Sequence, residues 1–197
     1  FGFHDDTVLA TCRPGSGPAP GGGRHCNFIQ MAFYNGWKKH HGHKYQSVEL
    51  PNGMTADMYG TVSFWHNDLE VLRYSQLNER LAALQDGDEL QYASYGDGIF
   101  PIKSHTIGKH VGDTTPQRYE NRIIRIANEW NYGVTAILYP FVVFKAAQKI
   151  RQNKFCTRFY FVATLLRYAH MCLYEGLTSS YFYCPTPSLE DYFQVNN

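Results

Sequence analysis

Charge is scarce in this sequence. Only 18% of the 197 residues are Asp, Glu, Lys or Arg, and the formal net charge is +1. With no polybasic tail and no strongly basic segment, the chain is not built to hold long duplex DNA by phosphate neutralisation alone. A local basic patch remains compatible with that balance. Long hydrophobic runs are lacking too. The most apolar stretch, Tyr160 to Leu173, is interrupted by Arg167 and His170 and is too short and too polar to span a bilayer. No secretory leader is visible. The five cysteines, at positions 12, 26, 156, 172 and 184, are odd in number and form no CxxC pair. That argues against a disulfide framework or zinc knuckle and for reduced thiols in a cytosolic or nuclear protein. Internal repeats are absent.

What is present is enough chain for one substantial domain with a buried core, expected over residues 1–197. The sequence opens on Phe-Gly-Phe-His-Asp-Asp without Met, as a piece of something longer would. Thr7 to Cys12 favours a strand by its β-branched content, with Asp5-Asp6 expected to break its start. The tract 13–24, rich in Pro and Gly and without an apolar anchor, reads as a flexible loop. Trp37 to Lys44 carries three Lys and three His within eight residues. This cluster is either a solvated surface or a phosphate-binding one. Lys44 to Leu50 and Met54 to Gly60 read as two strands joined by a hairpin turn at Pro51-Asn52-Gly53. Leu69, Leu72, Leu77, Leu81 and Leu84 fall at helical spacing, with a break expected at Ser75. Asp68 stands where it could cap that helix or serve as a ligand.

Next comes a short run of β-formers ending at Gly96-Asp97-Gly98. An irregular linker is expected over 101–116 and a helix over 117–132. A helical tail is expected over 139–197, closing on a short helix after Pro185. The order of elements is α/β, with one mixed sheet of five strands and helices packed on it. Three acids then stand out: Asp5 on the first strand, Asp97 at the end of the fourth, and Glu129 on a later helix. If the first and fourth strands are neighbours, the two strand acids meet and the helix acid can close the group. Acids this close repel unless a cation neutralises them, and hard oxygen ligands suit Mg2+ or Mn2+. A two-ion phosphoryl-transfer site is the physical expectation. Asp6 should point to the opposite face of an extended strand and is the weaker ligand. Arg125, four residues before Glu129 on one helical face, can orient the acid or meet a phosphate.

These residues fall into a known pattern. Asp5-Asp6-Thr7-Val8 with Cys12-Arg13-Pro14, Tyr34-Asn35-Gly36-Trp37-Lys38-Lys39-His40 and Lys44-Tyr45-Gln46-Ser47-Val48 come first. Pro51-Asn52-Gly53, Tyr59-Gly60, Asp68 with Leu72 and Ser75, and Tyr95-Gly96-Asp97 follow. Arg125, Glu129, Trp130 and Gly133, then the closing Cys184-Pro185-Thr186-Pro187-Ser188-Leu189-Glu190-Asp191-Tyr192, complete the order. In number, order and spacing they resemble eukaryotic transposases of the PIF/Harbinger type, in the DDE endonuclease superfamily. The resemblance implies an RNase H-like fold, N-terminally truncated, and Mg2+- or Mn2+-dependent cutting and joining of double-stranded DNA in the nucleus. It implies Asp5, Asp97 and Glu129 as catalytic acids and metal ligands, with Asp68 as a further ligand. Lys38, Lys39, Lys44 and Arg125 are the expected DNA contacts. A Myb-like DNA-binding partner and a homo-oligomer fit the family. Asp6 departs from the family's Gly, Leu9 stands where a basic residue is common, and Phe64-Trp65 replace its Gly-Arg. The alternative is a domesticated, non-catalytic DNA-binding or protein-interaction domain on the same fold.

Overall fold

The computed structural model describes residues 1–14, 28–85, 91–109, 114–119, 121–123, 153–174 and 177–192. Its spine is β1 (Gly2–Thr11). The Asp5-Asp6 pair does not break this strand as expected. Antiparallel pairing with β3 (His40–Glu49) runs without interruption from Phe3↔Glu49 to Thr11↔His41. A ladder on both sides of the acids overrides the low strand propensity of Asp.

β3 is buried along nearly its whole length because it is paired on both edges. The His-rich cluster is therefore not simply a surface. The strand starts at His40, and His43 and Lys44 are buried within it. The other edge of β3 is shared by two strands. β2 (Tyr34–Asn35), which follows α1 (Phe28–Phe33), pairs at His40 and His41, and β4 (Thr55–Ser63) pairs from His43 to Glu49. The hairpin between β3 and β4 turns at the expected Pro51-Asn52-Gly53. Gly53 donates to the Leu50 carbonyl (2.8 Å) and sits at φ +81°, a conformation glycine adopts without strain.

On the far edge of β1 lie β5 (Ser94–Tyr95) and then β6 (Thr106–Ile107), both parallel to their inner neighbours. The result is a mixed sheet of six strands, flanked by helices, in which β1 and β5 are adjacent. The count exceeds the expected five, and β6 lies in the segment expected to be irregular. Strands of two residues leave no alternation to read.

Helices cover both faces. α2 (Asp68–Ser75) and α3 (Leu77–Ala83) are separated at Gln76, which adopts a left-handed conformation (φ 52°), one residue beyond the expected break. They bury Leu72 and Leu77 against Val48 and Phe100, with Leu81 at the margin. Each such side chain contributes about 1.5–3 kcal/mol by leaving water. α4 (Asn153–Tyr174) packs on β4, where Tyr168 and Met171 enclose Met54. Arg167 of α4 donates from Nε to the Gly53 carbonyl (2.8 Å) and lies 4.0 Å from the buried Glu49 carboxylate. Burial pushes Glu49 up to about 7, opposed by Arg167 and by the Thr55 hydroxyl. α5 (Leu177–Phe182) brings the Phe182 ring against Phe1 and Phe3, and α6 (Leu189–Tyr192) follows. Residues 115–119 and 121–123 are helical, at the start of the helix expected over 117–132. Most of the tract 13–24, the rest of that helix and the region 139–152 lie outside the described residues.

Candidate active site

The register of the β1–β5 pair sets up the site. Phe3 stands opposite Tyr95, and Asp5 and Asp97 each lie two residues further along their parallel chains. Asp97 lies in the turn beyond β5, and its carboxylate lines the same cavity as that of Asp5 and acts on it electrostatically. Pairing with β5 stops at Tyr95, and among the described residues no strand pairs with this edge of β1 beyond it. A cavity of about 940 Å3 opens there, lined among others by Asp5, Asp6, Lys44, Asp68 and Asp97. Trp37, Lys38 and Trp65 line it as well.

Asp97 is held by its own turn, since its Oδ1 accepts the Ile99 N–H (3.0 Å) and its carbonyl the Phe100 N–H (3.2 Å). Gly96 lets this turn approach closely. A Cβ there would lie 2.5 Å from His4 Nε2 and from the Phe100 ring. His4 is buried, and its Nδ1 meets the Ser94 hydroxyl at 2.8 Å. Desolvation lowers its pKa to about 4, so the ring is neutral. Asp5 is oriented by the N–H of Asp6, which donates to its Oδ1 (2.8 Å).

Asp6 pairs across to Gln46 and so shares a face with Lys44, whose own partner is Val8. Strand alternation thus sends it toward α2, as expected, but that side opens into the same cavity. Its side chain is 4% exposed, and neither carboxylate oxygen receives a hydrogen bond among the described residues. Among the described residues, the Lys44 ammonium is the cation paired with it, 3.7 Å away. Lys44 Nζ donates to the His66 carbonyl (2.9 Å) and pairs closely with Asp68. Lys44, expected on the DNA-contacting surface, is only 6% exposed and serves as the internal counter-charge of Asp6 and Asp68.

Asp68 is not the helix cap. Asn67 holds that place, accepting the Glu70 N–H (2.9 Å), while the Glu70 carboxylate accepts the Asn67 N–H (3.0 Å). The Asn-x-x-Glu spacing was there to be read. With the cap filled by its neighbour, the Asp68 carboxylate is left to face Lys44.

Electrostatics follow from the crowding. Desolvation raises the Asp5 pKa to about 6; the charges of Asp97 and Asp68 add to it, while the Asp6 N–H and Lys44 oppose it. Desolvation and then the Asp68 charge push Asp6 up to about 9 against the pull of Lys44. The carboxyl groups of Asp5, Asp6, Asp68 and Asp97, which all line the cavity, are hard oxygen donors of the type a divalent cation takes. Among the described residues, no group of three His, Cys, Asp or Glu side chains is spaced to hold a metal ion. The described acids therefore do not by themselves make up a metal site, and Glu129, expected to complete it, lies outside the described residues with Arg125. Lys38 and Lys39 are exposed on the turn between β2 and β3.

No protein-family model, curated protein or solved structure matches the chain. Among the described residues, no helix is long and apolar enough to cross a membrane.

Proposed function

We propose that this chain is the catalytic core of a metal-dependent DNA phosphoryl-transfer enzyme of the PIF/Harbinger transposase type. The observation that carries the reading is the cavity beyond the β1–β5 pairing, which Asp5 and Asp97 both line. The sheet is read as RNase H-like: an antiparallel meander of three long strands, then two short parallel ones beyond the first. Asp5 and Asp97 would hold Mg2+ or Mn2+ with Glu129, and Asp68 is the candidate for a second ion. When bound, such ions activate a water or 3′-hydroxyl and stabilise the leaving oxygen. The chain's own residues prepare the place. The Asp6 N–H fixes the Asp5 carboxylate, the Ile99 N–H fixes that of Asp97, and Lys38, which lines the cavity, with its exposed neighbour Lys39 would take phosphates. Action on DNA places the protein in the nucleus, and the low net charge leaves sequence choice to a Myb-like partner or a second copy.

The alternative, a non-catalytic DNA-binding or protein-interaction domain, also has an observation in its favour. The Lys44 ammonium already supplies a positive charge between Asp6 and Asp68. Titration of Mg2+ or Mn2+ into the purified chain with end-labelled duplex separates the two. The enzyme reading expects metal-dependent strand cleavage, abolished by Asp97→Asn with folding and duplex binding retained. Duplex binding without cleavage at any metal concentration would overturn it for the alternative.

A further inference from the structure

Two tryptophans stand in water beside the acids. Trp37 is 89% exposed and Trp65 65% exposed, although large aromatics are ordinarily buried. Both line the cavity that holds Asp5 and Asp97, and they come from different elements, the turn after β2 and the turn after β4.

One side chain fixes both turns. Asn35 Oδ1 accepts the N–H groups of Trp37 (3.0 Å) and Lys38 (2.9 Å), while its Nδ2 donates to the carbonyl of Phe64 (3.1 Å), the residue before Trp65. The Lys39 N–H closes the same turn onto the Asn35 carbonyl (2.8 Å). The indoles are thus exposed on anchored backbone rather than on loose loops. The first turn also carries the exposed cations Lys38 and Lys39, and the same wall of the cavity continues through His40 and His66. Flat π-faces interleaved with phosphate-seeking cations form the combination that binds unpaired nucleotides, each base stacking and each phosphate meeting a charge. A protein partner would have no use for the positive turn next to so many carboxylates, whereas a strand entering the acid cluster needs its phosphates compensated.

We propose that Trp37 and Trp65 form a stacking platform for unpaired bases, so that the cleft takes a frayed or single-stranded DNA end in preference to continuous duplex. This rests on the DNA-cleaving reading for the identity of the strand, but it is a statement about binding and needs no metal. Base stacking on an aromatic ring is worth about 1–3 kcal/mol, or roughly 5- to 150-fold in affinity.

The test uses the full chain in EDTA, with a fluorescein-labelled duplex carrying an unpaired three-nucleotide end and the same duplex fully paired. The wild type is expected to prefer the frayed end by at least about fivefold. Trp37→Ala and Trp65→Ala should each remove most of that preference while changing affinity for the paired duplex less than about twofold, and both side chains are exposed enough for the variants to fold. Equal loss on both probes, or a wild type without preference, overturns the platform. If no DNA binds, sedimentation of Trp37→Ala against wild type shows whether the patch is an interface between copies, which also overturns it. Frayed-end preference without metal-dependent cleavage removes the enzyme reading and leaves the platform standing. Cleavage without the preference does the reverse.

Discussion

At the residue scale, Asp6 and Lys44 decide how the acid cluster tolerates its own charge. A carboxyl whose folded pKa lies above its unfolded value of about 4 binds more protons in the native state, so stability falls as pH rises between the two values. Asp5 and Glu49 finish this decline near 6 and 7, and Asp6 continues it to about 9. Between pH 7 and 9 the remaining fall among these three belongs to Asp6. Asp6→Asn should flatten the melting-temperature profile over that range and raise it at pH 8 by on the order of 3 °C, as read by thermal denaturation without divalent ions. A slope unchanged in the variant would assign the decline to other groups. Lys44→Met should act the opposite way. It leaves the Asp68 carboxylate without its ammonium, while Asp6 is already protonated below about pH 9, at a cost of about 1–3 kcal/mol in urea unfolding because Asp68 is partly solvated. Mg2+ should restore part of that loss if the vacated place accepts a cation.

At the element scale, stability depends on local devices that the sequence displays unevenly. The Asn67–Glu70 capping box starts α2, and Asn67→Ala should cost about 1 kcal/mol in the same unfolding measurement while leaving the Lys44–Asp68 pair intact. The sequence made the long pieces legible. Thr7, Val8 and the β-branched run declare β1, Pro51-Asn52-Gly53 declares the hairpin, and leucines at helical spacing declare α2 and α3. It concealed β2 and β6, which are two residues each and exist through their neighbours, while β5 lies within the run of β-formers expected before Gly96-Asp97-Gly98. The acids were visible as residue types, whereas the adjacency of the first and fourth expected strands was a condition of the reading that the β1–β5 pairing meets. The burial of Lys44 was not visible. It depends on Val8↔Lys44 register, and the alternation of a strand covered on both edges does not separate a buried lysine from a solvated one.

At the scale of the whole molecule, the cavity is acidic within and basic at one wall, on a chain close to neutral. Such a surface attracts a polyanion only where its cations project. Lys38→Ala with Lys39→Ala should weaken duplex binding about equally for all sequences and lower the slope of log affinity against log salt by about 2. A titration over several salt concentrations reads this directly. Unchanged affinity in the double variant removes the turn from the footprint.

The pairing of β1 with β5 also dictates when the site comes into being. The meander of β1, β3 and β4 draws on the first third of the chain and closes modest loops, whereas His4 meets Ser94 across 90 residues of sequence. Loop closure makes the nearer pairings form first. During synthesis the sheet can therefore take shape while Asp97 is still being made, and Asp5 waits beside an empty edge. A ribosome that stops before β5 leaves a chain with half of this pair of acids. The meeting of Asp5 and Asp97 is in this way tied to synthesis past β5, by topology alone.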